Sequence, residues 1–125
     1  MKQIMGVNRM KNFLLYIWQL PQNLLGLAVI FFSKAKYNKW YATYDTDSSF
    51  GVSLGKYIIV YRYCSNKTIK HEQGHQKQSL YLGWLYLPVI GIPSAIGNLL
   101  HRVIKFDYYK QPWEAWADKL GGVER

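Results

Sequence analysis

The chain has 125 residues, half of them hydrophobic and 17% aromatic, a composition that excludes a disordered protein and suits one packed domain over residues 1–125. It has one cysteine, which excludes an intramolecular disulfide and any cysteine-rich zinc site. The formal net charge of +9, from 16 basic and 7 acidic side chains, is typical of proteins that meet nucleic acid or an anionic membrane surface.

The first predicted element is an apolar segment, residues 13–32, in an N-terminal region without acidic residues. The segment is long enough to span a bilayer as a helix, but a short polar stretch interrupts it. The interrupting residues are Gln19, Pro21, Gln22 and Asn23. Pro21 suits the first turn of a second helix, where its missing N–H costs nothing. The basic residues on either side of the segment are Lys2, Arg9, Lys11, Lys34, Lys36 and Lys39.

Two interpretations of residues 13–32 stay open, a helix pair packed on the domain and a membrane anchor. The flanking positive charges favour the anchor, so membrane lipid is a predicted partner and the protein is expected to be membrane-associated. No cleavable signal peptide is evident, because residues 33–36 are basic and offer no small-residue cleavage site. The chain lacks any nucleic-acid-binding motif and any glycine-rich phosphate loop, which argues against a nucleic-acid partner.

Residues 50–63 are predicted to be extended, because β-branched and aromatic side chains dominate them. The strongest strand pattern is Tyr57, Ile58, Ile59, Val60 and Tyr61. Gly51 and Gly55 mark bends, so a short β-hairpin of residues 51–54 with residues 57–63 is expected. Residues 45–49, Asp-Thr-Asp-Ser-Ser, are expected to be a turn or loop.

A helix over residues 68–82 is predicted next, because hydroxyl and amide side chains at residues 65–68 offer N-caps. This helix contains the sequence His-Glu-Gln-Gly-His, which matches the H-E-x-x-H pattern. Histidines at positions i and i+4 lie on one helical face, so His71 and His75 can bind the same metal ion. Glu72 then lies beside the open side of that ion, where a general base is needed.

Residues 80–100 have no charged side chain but contain two prolines and three glycines, which argues against one straight helix. We predict a broken apolar insertion that either covers the core or enters the bilayer. A last helix is expected from Pro112 to Leu120, since proline suits a first turn and two glycines follow. It contains an E-x-x-x-D pattern, which places Glu114 and Asp118 on one face.

A catalytic zinc site takes three protein ligands and leaves a fourth position for water, so the two histidines need a further ligand. The candidates are His101, Asp45, Asp47, Asp107, Glu114, Asp118 and Glu124. H-E-x-x-H followed by E-x-x-x-D on a later helix resembles the gluzincin metallopeptidases. The resemblance implies that Glu114 is the third zinc ligand and that Asp118 supports a zinc-bound histidine. A carboxylate in that role accepts the second ring N–H of the histidine and fixes its tautomer.

The same resemblance implies two further features of the site. An edge strand near the motif helix pairs with extended substrate, for which residues 57–61 are the candidate. A donor for the oxyanion is also needed, and three candidates stay unranked: Tyr108, Tyr109 and His101. The uncharged insertion is more similar to membrane-bound members, such as the CAAX prenyl endopeptidases, than to secreted ones, although this chain is far shorter and lacks their several clear transmembrane helices.

Three small residues bear on how the two motif helices meet. Ala115 and Ala117 would let the last helix approach the motif helix closely. Gly74 costs its helix about 1 kcal/mol relative to alanine. It is either a neutral solvent position or a place where another helix, or the substrate strand, passes close by.

A lone H-E-x-x-H motif occurs by chance on polar surface helices, but here it follows a capped strand-to-helix junction and has a partner motif. The sequence predicts an α+β, zincin-like minimal domain whose metal-site core spans residues 50–122. That core comprises a short β-hairpin, the motif helix, the broken insertion and a C-terminal ligand helix. The predicted function is a zinc metalloendopeptidase that uses Zn²⁺ to cleave peptide or protein substrates at or near a membrane.

Two other function classes stay open. The same residues could hold zinc in a non-catalytic, membrane-associated interaction protein, which a closed fourth coordination position would favour. The third class is a basic nucleic-acid-binding protein, which salt-sensitive binding to DNA or RNA would favour.

Overall fold

The structure is a computed structural model that describes residues 2–39, 42–47 and 51–124. Within these ranges the chain is an α+β domain of five α-helices and one four-stranded mixed sheet, which confirms the predicted class. The helices are α1 (Lys2–Trp18), α2 (Leu20–Ser33), α3 (Asn66–Leu82), α4 (Ile92–Val103) and α5 (Pro112–Gly121). The strands are β1 (Lys36–Asn38), β2 (Thr43–Thr46), β3 (Val52–Leu54) and β4 (Tyr57–Tyr61).

The sheet has the strand order β1-β2-β4-β3, with β2 and β4 parallel and the outer pairs antiparallel. The centre of β4 is an unbroken apolar run, Ile58, Ile59 and Val60, and each of these residues is at most 2% exposed. A strand buried on both faces needs such a run, and helices α2 and α3 both contact β4. The predicted hairpin is confirmed as β3 and β4, joined at Gly55, whose φ of 65° favours glycine.

The sequence did not predict strands β1 and β2. The expectation of a loop at residues 45–49 is wrong for Asp45 and Thr46, which belong to β2, while Ser48, Ser49 and also Phe50 lie outside the described residues. Asp45 has low intrinsic strand preference, but its backbone pairs with Val60 of the buried strand. Its carboxylate accepts hydrogen bonds from Asn38 Nδ2 and Thr43 Oγ1, each at 3.0 Å.

Helices α1 and α2 form an elbow, and the polar residues that interrupt the apolar segment hold it against α3. Gln22, which is fully buried, donates from Nε2 to Ser79 Oγ at 2.9 Å and to the Gly83 carbonyl at 2.8 Å. The Ser79 hydroxyl in turn donates to Gln19 Oε1 at 2.6 Å. Pro21 lies in the first turn of α2, as predicted. These polar side chains are therefore part of the packed interior and bind α2 to the motif helix.

No single helix in the described part of the chain is long and apolar enough to cross a membrane. Arg9–Trp18 and Leu20–Ser33 meet the length and composition of a span only when taken together, and they are bent by 86°.

The predicted apolar insertion is helical throughout but changes helix type along its length. A 3₁₀ turn, Gly83–Leu85, leads into a π-helical segment, Leu87–Gly91, and then into α4. Gly83 starts this change with a φ of 57°, and a Cβ there would lie 2.3 Å from the Trp18 ring. The inward side chains cover the core, since Tyr86 and Ile90 are each 3% exposed.

Candidate metal centre

Helix α3 places the whole H-E-x-x-H motif in the interior. Its N-cap is Ser65, whose side chain accepts the backbone N–H of Thr68 at 3.3 Å, so the helix begins two residues earlier than predicted. His71, Glu72 and His75 are 4%, 6% and 3% exposed. Polar side chains are costly to bury unless partners satisfy them, so the contacts of the two histidines need an explanation.

Helix α5 provides these partners by crossing α3 at backbone contact. A Cβ at Gly74 would lie 1.8 Å from the Ala117 carbonyl oxygen, and a Cβ at Gly121 would lie 1.9 Å from the Lys70 carbonyl oxygen. Gly74 is therefore the point where another helix passes close by. Ala117 lies at the crossing as expected, but Ala115 is exposed, so the expectation that it allows the approach is wrong.

The crossing brings together two imidazoles and one carboxylate. His71 Nε2 lies 2.7 Å and His75 Nε2 lies 3.0 Å from the same oxygen, Glu114 Oε2. Their ligand atoms all lie within 4.8 Å of one another, close enough to hold one metal ion. The described residues supply three such ligands, and these are the three that the sequence predicted.

The Nδ1 atom of each histidine ring contacts an acceptor side chain, and this contact determines the role of the Nε2 atom on the other side of the ring. Asp118 Oδ1 lies 2.7 Å from His71 Nδ1, and an ionised carboxylate can only accept. Gln78 donates its Nε2 to the Trp113 carbonyl at 2.8 Å, which turns its Oε1 toward His75 Nδ1 at 2.6 Å. Each Nδ1 is therefore a donor, and each Nε2 faces the same glutamate oxygen, either as an N–H donor on a protonated ring or as a lone pair with a metal ion in between.

Three acceptor atoms that meet at one point need a positive charge among them, either protons on the imidazoles or a metal ion. Burial alone lowers the pKa of His75, but the hydrogen bond to Glu114, the negative charges of Glu72 and Glu114, and the hydrogen bond to Gln78 together outweigh it and raise that pKa to about 9. Burial raises the pKa of Glu114, but the hydrogen bonds from both histidines hold it well below its usual range. The donor set and this preference for positive charge fit a divalent cation.

The other oxygen of Glu114 is held by two hydroxyl groups. Oε1 accepts hydrogen bonds from Ser94 Oγ and from the Tyr108 hydroxyl, the latter at 2.9 Å. With both oxygens engaged and no exposure to solvent, the carboxylate is fixed in orientation. Sequence reasoning missed Ser94 and Gln78. The available signals were a small hydroxyl inside an uncharged stretch and an amide three residues after His75 on the same helix.

Glu72 lies on α3 next to His71, and its Oε2 atom is buried without a hydrogen-bond partner among the described residues. Burial raises the pKa of this carboxyl group, and the nearby histidines oppose that rise. A Cβ at Gly51, just before β3, would lie 3.4 Å from Glu72 Oε1. A buried carboxylate oxygen with no protein partner can accept a proton from a small molecule.

The three candidate oxyanion donors have different surroundings. The Tyr108 hydroxyl is hydrogen bonded to Glu114, so its role is to hold a predicted ligand. The Tyr109 ring lies edge-on to the His71 ring with centroids 5.1 Å apart, which leaves it beside the centre. His101 is exposed at the end of α4, where its Nδ1 donates to the Phe106 carbonyl at 2.9 Å. The structure therefore brings Tyr108 and Tyr109 to the centre and does not bring His101 there.

The expectation that residues 57–61 pair with substrate is wrong. These residues form β4, an interior strand whose backbone is hydrogen bonded to β2 on one side and β3 on the other. Strand β3 is the edge of the sheet next to α3. A local apolar pattern identifies a strand but does not define its position in the sheet.

Comparisons with protein-family models, curated proteins and solved structures found no match to this chain. The fold and the site alone therefore give the class of protein. It is an α+β domain with a buried cluster of two histidines and one glutamate that can hold a metal ion.

Asp118→Ala is expected to weaken metal binding by about 10- to 100-fold, because it frees the His71 ring to rotate and removes the acceptor for Nδ1–H. Competition with a chromogenic chelator measures the change. The control is Asp47→Ala, since Asp47 is exposed after β2 and its carboxylate forms an ion pair with Arg62 rather than contacting either histidine. Equal affinities of the two variants would contradict the orienting role of Asp118.

Proposed function

We propose that the protein is a zinc-dependent peptidase in which His71, His75 and Glu114 bind the metal. The observation that carries the proposal is the convergence of both Nε2 atoms on Glu114 Oε2, with both Nδ1 atoms held by other side chains. Two imidazoles and one carboxylate form a donor set that suits Zn²⁺, whereas Ca²⁺ and Mg²⁺ prefer oxygen ligands. Three ligands also leave a coordination position for water.

Zinc, when bound, lowers the pKa of a coordinated water toward about 7 and polarises a substrate carbonyl. The residues of the chain provide the remaining functions. Glu72 accepts a proton from the attacking water and returns it to the leaving amine, as its free buried oxygen and raised pKa favour. Asp118 and Gln78 hold the two imidazoles in the required tautomer.

The choice of a peptide bond as substrate depends on the resemblance of the two motifs to gluzincins. The membrane setting depends on a different part of the chain, the exposed apolar surface.

A non-catalytic zinc protein is the competing function, and the deep burial of the cluster favours it. Glu114 has no exposed surface, and both histidines are less than 5% exposed. A structural zinc site is closed by a fourth protein ligand. Two observations support the catalytic alternative instead. The described residues supply three ligands rather than four, and Glu72 Oε2 has no hydrogen-bond partner among them.

Metal analysis of the purified protein tests the proposal. We expect an equimolar amount of zinc in the wild-type protein and its loss in His75→Ala, because two remaining ligands do not hold the metal. The matched control is His101→Ala, which removes an exposed histidine at the end of α4 and is expected to keep the zinc. A wild-type protein without zinc, or a His75→Ala variant that retains it, would contradict the proposed site.

A further inference from the structure

One face of residues 85–103 is apolar and exposed along its whole length. We call this face the apolar stripe, and its residues are Leu85, Val89, Ile92, Ile96, Leu99 and Val103. They are spaced three and four residues apart, which aligns the four that lie in α4 on one side of that helix, and each of the six is between 48% and 83% exposed. At about 1.5 Å per residue, the part of the stripe that lies in α4, from Ile92 to Val103, is roughly 17 Å long. A continuous apolar face of this length on a protein surface indicates a binding surface.

The opposite face of the same segment is fixed in the interior, so the stripe cannot turn inward. The Tyr86 hydroxyl donates to the Ser53 carbonyl at 2.9 Å, and Ile90 is 3% exposed. Further along, the Ser94 hydroxyl is hydrogen bonded to Glu114. The segment thus has one face toward the core and the metal ligand and the other toward the surroundings.

Two half-exposed tryptophans, one of them next to Leu85 in the sequence, join this segment to helix α1. Trp84 Nε1 donates to the Ile17 carbonyl at 2.9 Å, and Trp18 Nε1 donates to the Leu80 carbonyl at 2.8 Å. Both rings are about half exposed, at 56% and 46%. Because each indole N–H is already satisfied by the backbone, the exposed parts of the rings are apolar. Tryptophan is enriched where proteins meet the interfacial region of a bilayer.

The charges around the apolar stripe indicate which partner covers it. Arg102 and Lys105 are exposed at its end, and no acidic residue occurs in residues 73–106 or in residues 1–44. A second copy docked on this face would bring like charges together on chains of net charge +9. Anionic phospholipid provides both an apolar phase for the stripe and negative charge for the basic side chains.

We propose that the apolar stripe and the Trp18–Trp84 pair dock onto the surface of a bilayer that contains anionic phospholipid. The segment lies in the interfacial plane, with the stripe among the upper acyl chains and Arg102 and Lys105 at the headgroups. Glu114 then lies behind α4, about one helix diameter, roughly 10 Å, from the lipid. The proposal concerns a surface apart from the metal ligands and does not depend on catalysis.

Sedimentation with vesicles tests this proposal on the full chain. The vesicles are phosphatidylcholine alone, or phosphatidylcholine mixed with phosphatidylglycerol. We expect the wild-type protein to bind the mixed vesicles, and Leu99→Glu to bind them about 10- to 100-fold more weakly, since it replaces an exposed aliphatic side chain that lipid would cover with a charge that anionic lipid repels. The matched control is Tyr63→Glu, because Tyr63 is 75% exposed in the turn after β4 and is expected to leave binding unchanged.

The contribution of the basic residues is tested with Arg102→Gln and Lys105→Gln. Each is expected to weaken binding to mixed vesicles about fivefold and to leave the small affinity for phosphatidylcholine unchanged. Circular dichroism and thermal melting verify that every variant is folded. Vesicle sedimentation does not require zinc or hydrolysis, so its outcome is separate from that of the metal analysis.

Three results would overturn the proposal. The first is a wild-type protein that does not sediment with mixed vesicles, and the second is equal binding by Leu99→Glu and Tyr63→Glu. The third is a lipid-free dimer, seen by analytical ultracentrifugation, that Leu99→Glu dissociates. That last result would assign the apolar stripe to a second copy of the chain.

Discussion

Glu72→Gln is expected to abolish most peptide hydrolysis while the protein keeps its zinc. The amide has nearly the shape of the carboxylate, so the packing of α3 against its neighbours is preserved. It is not a base near neutral pH, however, and cannot accept the proton of the attacking water. General base catalysis contributes about 10²- to 10⁴-fold to a rate, and turnover is expected to fall by about that factor.

The position of Glu72 separates this effect from metal binding. The three side chains that can hold an ion are His71, His75 and Glu114, and Glu72 is not among them. Its Oε2 is buried and has no partner among the described residues, so the substitution breaks no described hydrogen bond at that atom. Burial raises the pKa of the carboxyl group, which makes its ionised form a stronger proton acceptor.

A quenched fluorescent peptide library of randomised sequence provides the assay, and metal analysis is carried out on the same samples. The control is Glu124→Gln, which makes the same chemical change at an exposed residue near the C-terminal end of the sequence. Unchanged turnover in Glu72→Gln would rule out its role as the base. A zinc-loaded wild-type protein that cleaves no library peptide would instead favour the non-catalytic alternative.

The parts of the fold that follow from local pattern were predictable. The apolar run of β4, the capped start of α3, and the proline and glycines that delimit α5 each depend on neighbours within a few residues. The position of His71 and His75 on one face of α3 was equally predictable, because it depends only on the geometry of a helix. Glu114 was different. Its link to the motif came from the resemblance to gluzincins, and the structure shows the contact at 2.7 Å.

The features that sequence reasoning missed depend on contacts between distant residues. Strand β2 exists because it pairs with the buried β4, and Asp45 within it has little strand preference of its own. Gln22 appeared as an interruption of an apolar segment, yet it bonds to Ser79, 57 residues away. The role of Ser94 becomes visible only when α4 packs beside Glu114. Pattern alone does not show which polar side chains will find partners.

Gly74 shows how a single position couples the fold to the site. Alanine stabilises the interior of a helix by about 1 kcal/mol relative to glycine, so an isolated α3 would be strengthened by Gly74→Ala. In the folded chain the added Cβ would lie 1.8 Å from the carbonyl oxygen of Ala117 and 2.6 Å from its carbonyl carbon. Both atoms belong to the α5 backbone and cannot rotate away, so α5 must shift.

Gly74→Ala is therefore expected to lower the free energy of unfolding by about 1–3 kcal/mol, or more, and to abolish tight zinc binding. The loss of zinc follows because α5 carries both Glu114 and Asp118, so a shift that relieves the clash also moves these carboxylates from the imidazoles. Thermal melting in the presence of chelator measures the first effect, and metal analysis measures the second.

Gly91→Ala is the matched control for this substitution. Gly91 also has helical backbone angles, but its added Cβ would meet the end of the flexible Leu87 side chain at 3.1 Å. We expect this variant to be as stable as the wild type or slightly more stable, since alanine reduces the entropy of the unfolded chain. If Gly74→Ala raised the melting temperature in the same way, helices α3 and α5 would not cross at backbone contact, and the proposed three-ligand centre would lose its structural basis.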